Sequence, residues 1–123
     1  MSDQENGART PLPGRPVRGS ESGRPVMALL DLLGRRWCLR VLWELRETAL
    51  GFRALQGRCD GMSASVLSTR LQELEQAKLI ERDPSGAWCL APSGRDLLAL
   101  LLPLERWSRH WAETLDSQER ETE

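Results

Sequence analysis

Residues 63–82, SASVLSTRLQELEQAKLIER, constrain the fold more than any other stretch, because they begin as an amphipathic helix and end as a strand. At about 100° per residue, the apolar side chains of the helical part share one arc, and short hydroxyls and amides share the opposite arc. The apolar arc holds Ala64, Val66, Leu67, Leu71, Leu74 and Ala77, and the polar arc holds Ser65, Ser68, Thr69, Gln72 and Gln76. In a chain that is 28% charged, a solvated helix face would normally carry more Lys, Arg and Glu.

Two interpretations of this polar arc are open. Short uncharged side chains let a helix approach another surface closely, and Ser, Thr and Gln can hydrogen-bond base edges and phosphates in a major groove. The alternative is a face that contacts only water. The neighbouring segments favour the first interpretation.

Those segments predict a helix-turn-helix with a hairpin beside it. FRALQGRC predicts a helix of about two turns, Gly61 lies in the turn that follows, and Ser63 suits the N-cap of the next helix. LIERD and AWCLA predict two strands joined by PSG, and ALGF predicts a short extended piece. Helices are also expected in VMALLDLLG, ended by Gly34, in RRWCLRVLWELRET and in PSGRDLLALLLPLERWSRHWAETL. The predicted fold class is mainly α with a small β-hairpin, a winged helix-turn-helix.

The chain divides into three parts. Residues 1–24, rich in Pro, Gly, Ser and Arg, predict a disordered segment; residues 25–115 predict the winged domain; residues 116–123 predict a frayed acidic tail. The net charge is −1, so a globally basic footprint for nucleic acid is absent. A DNA-binding protein of this composition must concentrate positive charge on one surface.

Several other classes of protein are disfavoured. An apolar signal-peptide core and an apolar run of about 18 residues are both lacking, so we expect a cytoplasmic protein with no membrane partner. Cys38, Cys59 and Cys89 are widely spaced and only His110 could join them, so apolar packing is expected rather than a disulfide or zinc site. Without a P-loop, GxGxxG or metal cluster, we expect neither an enzyme nor a cofactor.

At the level of whole segments, the sequence resembles a known family. RPVMALLDLLGRRWCLRVLWEL, FRALQ, GMSASVLSTRLQELEQAKLIER and CLAPSGRDLL together resemble the HxlR-type transcriptional regulators, relatives of the MarR winged helices, over residues 24–112. The resemblance implies a homodimeric DNA-binding regulator without enzymatic activity, whose dimer is built from the first and last helices.

Three positions depart from the family pattern. Family members often carry a Cys just before the proline that opens the first helix, and some sense oxidants or electrophiles through it. This chain has Arg24 before Pro25, so the resemblance does not imply a thiol sensor at this position. Ser65 stands where a basic residue is common. The wing has no Lys or Arg between Arg82 and Arg95, which implies fewer phosphate contacts and weaker, less salt-sensitive binding per protomer.

The last helix predicts dimerisation independently of the resemblance. Its apolar stripe is too wide to be buried against a domain of this size, and packing on a twofold-related copy would cover it. Pro103 lies inside this helix and should kink it. The predicted interface residues are Leu29, Leu97, Leu101, Leu104, Trp107 and Trp111.

The sequence therefore predicts a regulator, acting as a repressor, that binds a pseudo-palindromic operator in double-stranded DNA as a homodimer. The predicted base-reading residues are Ser63, Ser65, Ser68, Thr69 and Gln72, and the predicted phosphate contacts are Arg53, Arg70, Arg82 and Arg95. Arg70 has an alternative role, with its stem on the core and its head paired to a nearby acid. The alternative function is a winged-helix adaptor that binds protein instead of DNA.

The tryptophans raise one further question about partners. Trp37, Trp43, Trp107 and Trp111 lie on helices expected to meet near the dimer interface, where an aromatic cavity could bind a small apolar effector. The alternative is that they are ordinary core side chains.

Overall fold

The computed structural model describes residues 9–122. Its elements, in chain order, are α1 (Pro25–Leu33), α2 (Cys38–Glu44), α3 (Phe52–Arg58), α4 (Ala64–Gln76), β1 (Ile80–Arg82), β2 (Trp88–Leu90) and α5 (Pro92–Thr122). This is the order of a winged helix-turn-helix, with α3 and α4 as its two motif helices. The predicted fold class is confirmed. Within the described part of the chain, the helices lack the length and apolar character that crossing a membrane requires.

The helix boundaries follow local sequence signals. Pro25 opens α1, and Gly34 follows its last turn, as predicted. The Ser63 hydroxyl accepts a hydrogen bond from the Val66 amide at 3.2 Å, which confirms the predicted N-cap of α4. At its other end, Lys78 has a positive φ of 60°, and the Leu79 amide donates back to the Leu74 carbonyl at 3.0 Å. That pair of features is a Schellman-type helix end.

The hairpin forms the wing. β1 and β2 pair antiparallel with Ile80 opposite Leu90 and Arg82 opposite Trp88. Leu50 extends this sheet, because its amide and carbonyl both bond Trp88, at 2.9 and 2.8 Å. The extended piece predicted at ALGF is therefore present. The connecting turn is organised by one carboxylate, Asp83, which accepts hydrogen bonds from Ser85 and from the Ala87 amide.

The core lies between α2, the two motif helices and the wing. Leu67, Leu71 and Leu74 of α4 are buried, as their arc predicts, but Ala64 at its first turn is exposed. Other members come from every surrounding element and include Cys38, Val41, Leu42, Leu55, Cys59, Ile80 and Trp88. Burial on this side leaves α4 only one face to present outward.

A close backbone approach joins the start of α5 to the start of the wing. The Ala91 amide donates to the Leu79 carbonyl at 3.0 Å. Gly94, one turn further on, is buried against the same peptide, and a Cβ at this position would lie 2.0 Å from the Leu79 oxygen. The direction in which α5 leaves the domain is therefore set by a contact that only glycine permits.

Both ends of the chain differ from their predictions. Residues 1–8 of the predicted disordered segment lie outside the described residues, but residues 9–24 have defined turns, with Gly14 bonded to Gly23 and Val17 to Ser20. We call residues 9–24 the N-terminal arm. α5 continues through the predicted acidic tail to Thr122. The arm is tied to the domain by polar contacts between residues far apart in the chain, which is why hydrophobic periodicity did not predict it.

Candidate nucleic-acid interface

The outer side of α4 carries the predicted base-reading residues. Ser65, Ser68, Thr69 and Gln72 are all exposed, while the opposite side of the same helix is buried. We call these four residues the α4 polar face. The Thr69 hydroxyl donates to the Ser65 carbonyl at 3.0 Å, which leaves its lone pairs outward. Ser63, also predicted to read bases, is exposed too, but its hydroxyl is already the N-cap acceptor of α4.

Three of the four predicted phosphate contacts are exposed arginines at the edges of the motif. Arg53 lies at the start of α3 and shares a surface depression with Ala64, at the start of α4. The Arg82 guanidinium lies 4.5 Å from the ring centroid of Trp88, a cation–π contact that holds it at the base of the wing. Arg95 is exposed in the first turn of α5.

Arg70 instead belongs to a buried ionic cluster. Its Nη1 donates to Glu73 at 2.6 Å, and its Nε donates to the Arg36 carbonyl at 2.6 Å. Arg35 donates to the other oxygen of the same carboxylate. Glu73 is 2% exposed, so two guanidiniums neutralise a carboxylate inside the protein. The contacts match the alternative role for Arg70, pairing with a nearby acid.

Glu73 was not singled out in the sequence analysis. The i,i+3 spacing from Arg70 signals a pairing of the two. The partnership with Arg35 had no such signal, because the two residues are 38 positions apart. The cluster ties α4 to the α1–α2 connection and so fixes the orientation of the polar face.

The N-terminal arm lies beside this helix. The Thr10 hydroxyl donates to the Gln76 side-chain oxygen of α4, and Arg35 donates to the Arg9 carbonyl at 2.7 Å. Thr10 is only 5% exposed. A depression of about 300 Å³ runs between the arm and α4, and it is lined by Arg9, Thr10, Arg15, Thr69, Gln72, Glu73 and Gln76. The arm therefore borders the α4 polar face.

The six predicted dimer-interface residues fall into two groups. Leu29 and Leu97 pack against the core of their own chain, and Leu101 is half-buried. Leu104, Trp107 and Trp111 are exposed, and the two tryptophan rings stack with centroids 5.9 Å apart. The same helix also exposes Leu100, Leu102 and Leu115. α5 thus carries a large apolar surface with the character of an interface.

The cysteines are poorly suited to nucleophilic chemistry. Burial raises the pKa of the Cys38 thiol to about 11, and burial also raises the pKa of Cys59. Both are fully buried in the core, as expected of apolar side chains, while Cys89 is only partly buried. In the described part of the chain, His, Cys, Asp and Glu side chains do not gather in a group that could hold a metal ion.

Known proteins are similar to this chain over most of the winged helix-turn-helix. The family model described as HxlR-like helix-turn-helix matches residues 32–116. An uncharacterized HTH-type transcriptional regulator of Methanocaldococcus jannaschii, MJ0925, is 28% identical in an alignment 91 residues long that covers 71% of this chain and 85% of that protein. The crystal structure of quinone-bound YodB from Bacillus subtilis superposes with a TM-score of 0.65 at 26% identity, covering 69% of this chain and 94% of that one. A structure described as a transcriptional regulator of the MarR family, from Enterococcus faecalis, has a TM-score of 0.63 at 26% identity and covers 69% and 83% of the two chains.

Proposed function

The chain belongs to the HxlR-like helix-turn-helix family of DNA-binding transcriptional regulators, which are not enzymes, and from this premise we propose that it binds a pseudo-palindromic operator as a homodimer and represses transcription. Repression follows if the operator overlaps a promoter, because the bound dimer then excludes RNA polymerase. We also propose a cytoplasmic location, which a DNA partner would require.

The α4 polar face is the observation that carries the proposal. Helix-turn-helix proteins insert the second motif helix into the major groove, where short hydroxyls and amides can hydrogen-bond base edges. Here that helix buries its apolar side and presents Ser65, Ser68, Thr69 and Gln72 outward. Arg53, Arg82 and Arg95 border the motif and are the proposed phosphate contacts.

The apolar surface of α5 supports the homodimer. Leu100 is 73% exposed, Trp107 57% and Trp111 50%, which is costly to leave in water. A second copy would bury the same stripe from both sides around a twofold axis. Such a dimer would hold two α4 helices about 34 Å apart, the spacing of half-sites one turn apart on B-DNA.

The experiment is fluorescence-anisotropy binding to DNA upstream of the chain's own gene and to scrambled DNA, over a series of salt concentrations. We expect selective binding that weakens steeply with salt. Thr69→Ala with Gln72→Ala should weaken operator binding at least tenfold, because a lost base contact costs about 1–3 kcal/mol. Thr114→Ala with Gln118→Ala is the matched control, since Thr114 makes the same bond to the carbonyl four residues back, at 3.1 Å.

Equal affinity of the Thr69 and Gln72 double variant and the wild type would remove the base-reading role of α4. Complete absence of DNA binding at low salt would overturn the proposed function and favour the adaptor alternative, whose partner would be a protein.

The dimer has its own test in sedimentation velocity. Leu104→Ala with Trp107→Ala should raise the dimer dissociation constant at least tenfold, because large buried aromatics carry much of an interface's energy. Arg106→Ala, between them on the same helix and also exposed, should leave it unchanged. A wild-type protein that sediments as a monomer would refute the homodimer.

A small apolar effector is proposed at the tryptophans of α5. The relative YodB has a quinone-bound structure, and a quinone that competes with the partner copy for the stacked Trp107–Trp111 pair would have an aromatic surface to stack on. Titration with a simple quinone should quench tryptophan fluorescence and release operator DNA. A quinone that changes neither signal would remove the effector from the proposal.

A further inference from the structure

The N-terminal arm is the most basic short segment of the described chain beside the α4 polar face. It carries Arg9, Arg15, Arg18 and Arg24 against a single acid, Glu21. The wing, by contrast, has no Lys or Arg between Arg82 and Arg95. Beside α4, the arm therefore supplies positive charge that the tip of the wing does not.

The arm is anchored so that two of these arginines keep their charged groups outward. At Arg9 the anchor is the main-chain carbonyl, which accepts a bond from Arg35 at 2.7 Å. At Arg18 it is the main-chain amide, which donates to Asp31 Oδ2 at 3.1 Å. Both residues are exposed, and neither guanidinium has a protein partner within the region that the structure describes. Arg15 differs, because it is half-buried and donates to the Thr10 carbonyl within the arm.

The arm also lies on the side of α4 that carries the polar face. Arg9 lines one depression together with Thr69 and Gln72, and Arg18 lines a second that also includes Thr69. Thr69 and Gln72 nevertheless stay exposed, so the arm flanks the polar face without covering it. DNA lying on the polar face would bring its phosphates past the arm.

We propose that the N-terminal arm is a second DNA-contacting element, in which Arg9 and Arg18 bind backbone phosphates beside each half-site. This inference rests on the proposed DNA-binding function and deepens it. The arm supplies electrostatic contacts that the tip of the wing, which has no Lys or Arg, does not. Because phosphate contacts carry no base information, the arm raises affinity for all sequences rather than selectivity.

The test uses the full chain with Arg9→Ala and Arg18→Ala combined. Alanine keeps both main-chain anchors, so the arm stays in place while two charges are removed. The matched control is Arg106→Ala combined with Arg120→Ala, which removes the same charge from exposed positions far along α5. Binding to the upstream DNA and to scrambled DNA is measured by anisotropy over a salt series.

The expected loss follows from counterion release. With a slope of about −0.9 per phosphate, each lost contact weakens binding about eightfold at 0.1 M salt and makes the slope shallower by about 0.9. The arm variant should show this loss on both DNAs, so that its selectivity is unchanged, and the control variant should bind like the wild type.

The alternative outcomes separate the two proposals. If the wild type binds selectively and the arm variant matches the control, the arm inference is overturned and the proposed function stands. Tighter binding by the arm variant would also overturn the inference, because the arm would then obstruct the access of DNA to the α4 polar face. If the wild type binds no DNA at low salt, the proposed function fails and the arm inference fails with it.

Discussion

Gly94→Ala tests the contact that directs α5 out of the domain. In an ordinary helix this change stabilises, because alanine has the higher helix propensity by about 1 kcal/mol. Here the new Cβ would meet the Leu79 carbonyl oxygen at 2.0 Å, well inside the 3.0 Å that real Cβ atoms respect. The obstacle is main chain, so the helix and the first strand of the wing must move apart.

The structure sets the size of the effect. Overpacking of this kind costs about 1–3 kcal/mol. The Ala91–Leu79 hydrogen bond, 3.0 Å long, would be lost in the movement, at about 1 kcal/mol more. After subtracting the propensity gain, we expect Gly94→Ala to lower the free energy of unfolding by about 2 kcal/mol. The matched control is Gly57→Ala in α3, where a Cβ meets nothing within 4 Å and the change should stabilise by up to about 1 kcal/mol.

The assay is urea unfolding followed by tryptophan fluorescence at one fixed protein concentration, because the proposed dimerisation would make stability depend on concentration. The two variants should differ by about 3 kcal/mol, a separation of roughly 1–2 M in urea midpoint with unchanged m-value. A Gly94→Ala protein as stable as Gly57→Ala would refute the close approach of α5 to the wing.

Four further predictions concern other parts of the molecule. Glu73→Gln should destabilise by about 3 kcal/mol, since it leaves two guanidiniums beside a neutral group, while Glu75→Gln on the exposed side should have little effect. Lys78→Gly should stabilise by about 1 kcal/mol, because glycine adopts the positive φ at no steric cost. Cys38 should resist alkylation at pH 8 in the folded protein while the partly exposed Cys89 reacts. Because the pKa of Cys38 is raised by folding, its contribution to stability is full below pH 9 and is lost as pH rises to about 11.

The outcomes that would contradict them are distinct. Equal urea midpoints for the Glu73 and Glu75 variants would remove the buried cluster as a source of stability. If the Lys78→Gly protein is less stable than the wild type, the side chain of Lys78 stabilises the protein by more than its positive φ destabilises it. Alkylation of Cys38 as fast as Cys89, read by mass spectrometry, would contradict its burial.

The winged domain was largely predictable because its signals are local. The Ser63 cap, the stop at Gly34 and the two arcs of α4 each depend on residues within a few positions of one another. A helix with one apolar arc has one way to bury it, so the exposure of Thr69 and Gln72 followed from the spacing alone.

The arm and the cluster around Glu73 were not predictable in this way. The arm has few apolar residues, and its order comes from single polar contacts such as Thr10 with Gln76, 66 positions apart. The chain has 17 Lys and Arg residues and 18 Asp and Glu residues, and no sequence pattern specifies which of them form ion pairs. Arg70 illustrates the limit, because its two alternative roles were equally compatible with its place on the helix.

The sequence by itself determined the elements, their order and the residues that α4 turns outward, since periodicity and capping are set by neighbours along the chain. Only the tertiary structure decided that Arg35 joins Glu73 to the Arg9 carbonyl, that the arm lies beside the polar face, and that Gly94 lets α5 approach the wing. These contacts join residues brought close by packing, and their energies depend on distances of a few ångströms that a one-dimensional pattern does not contain.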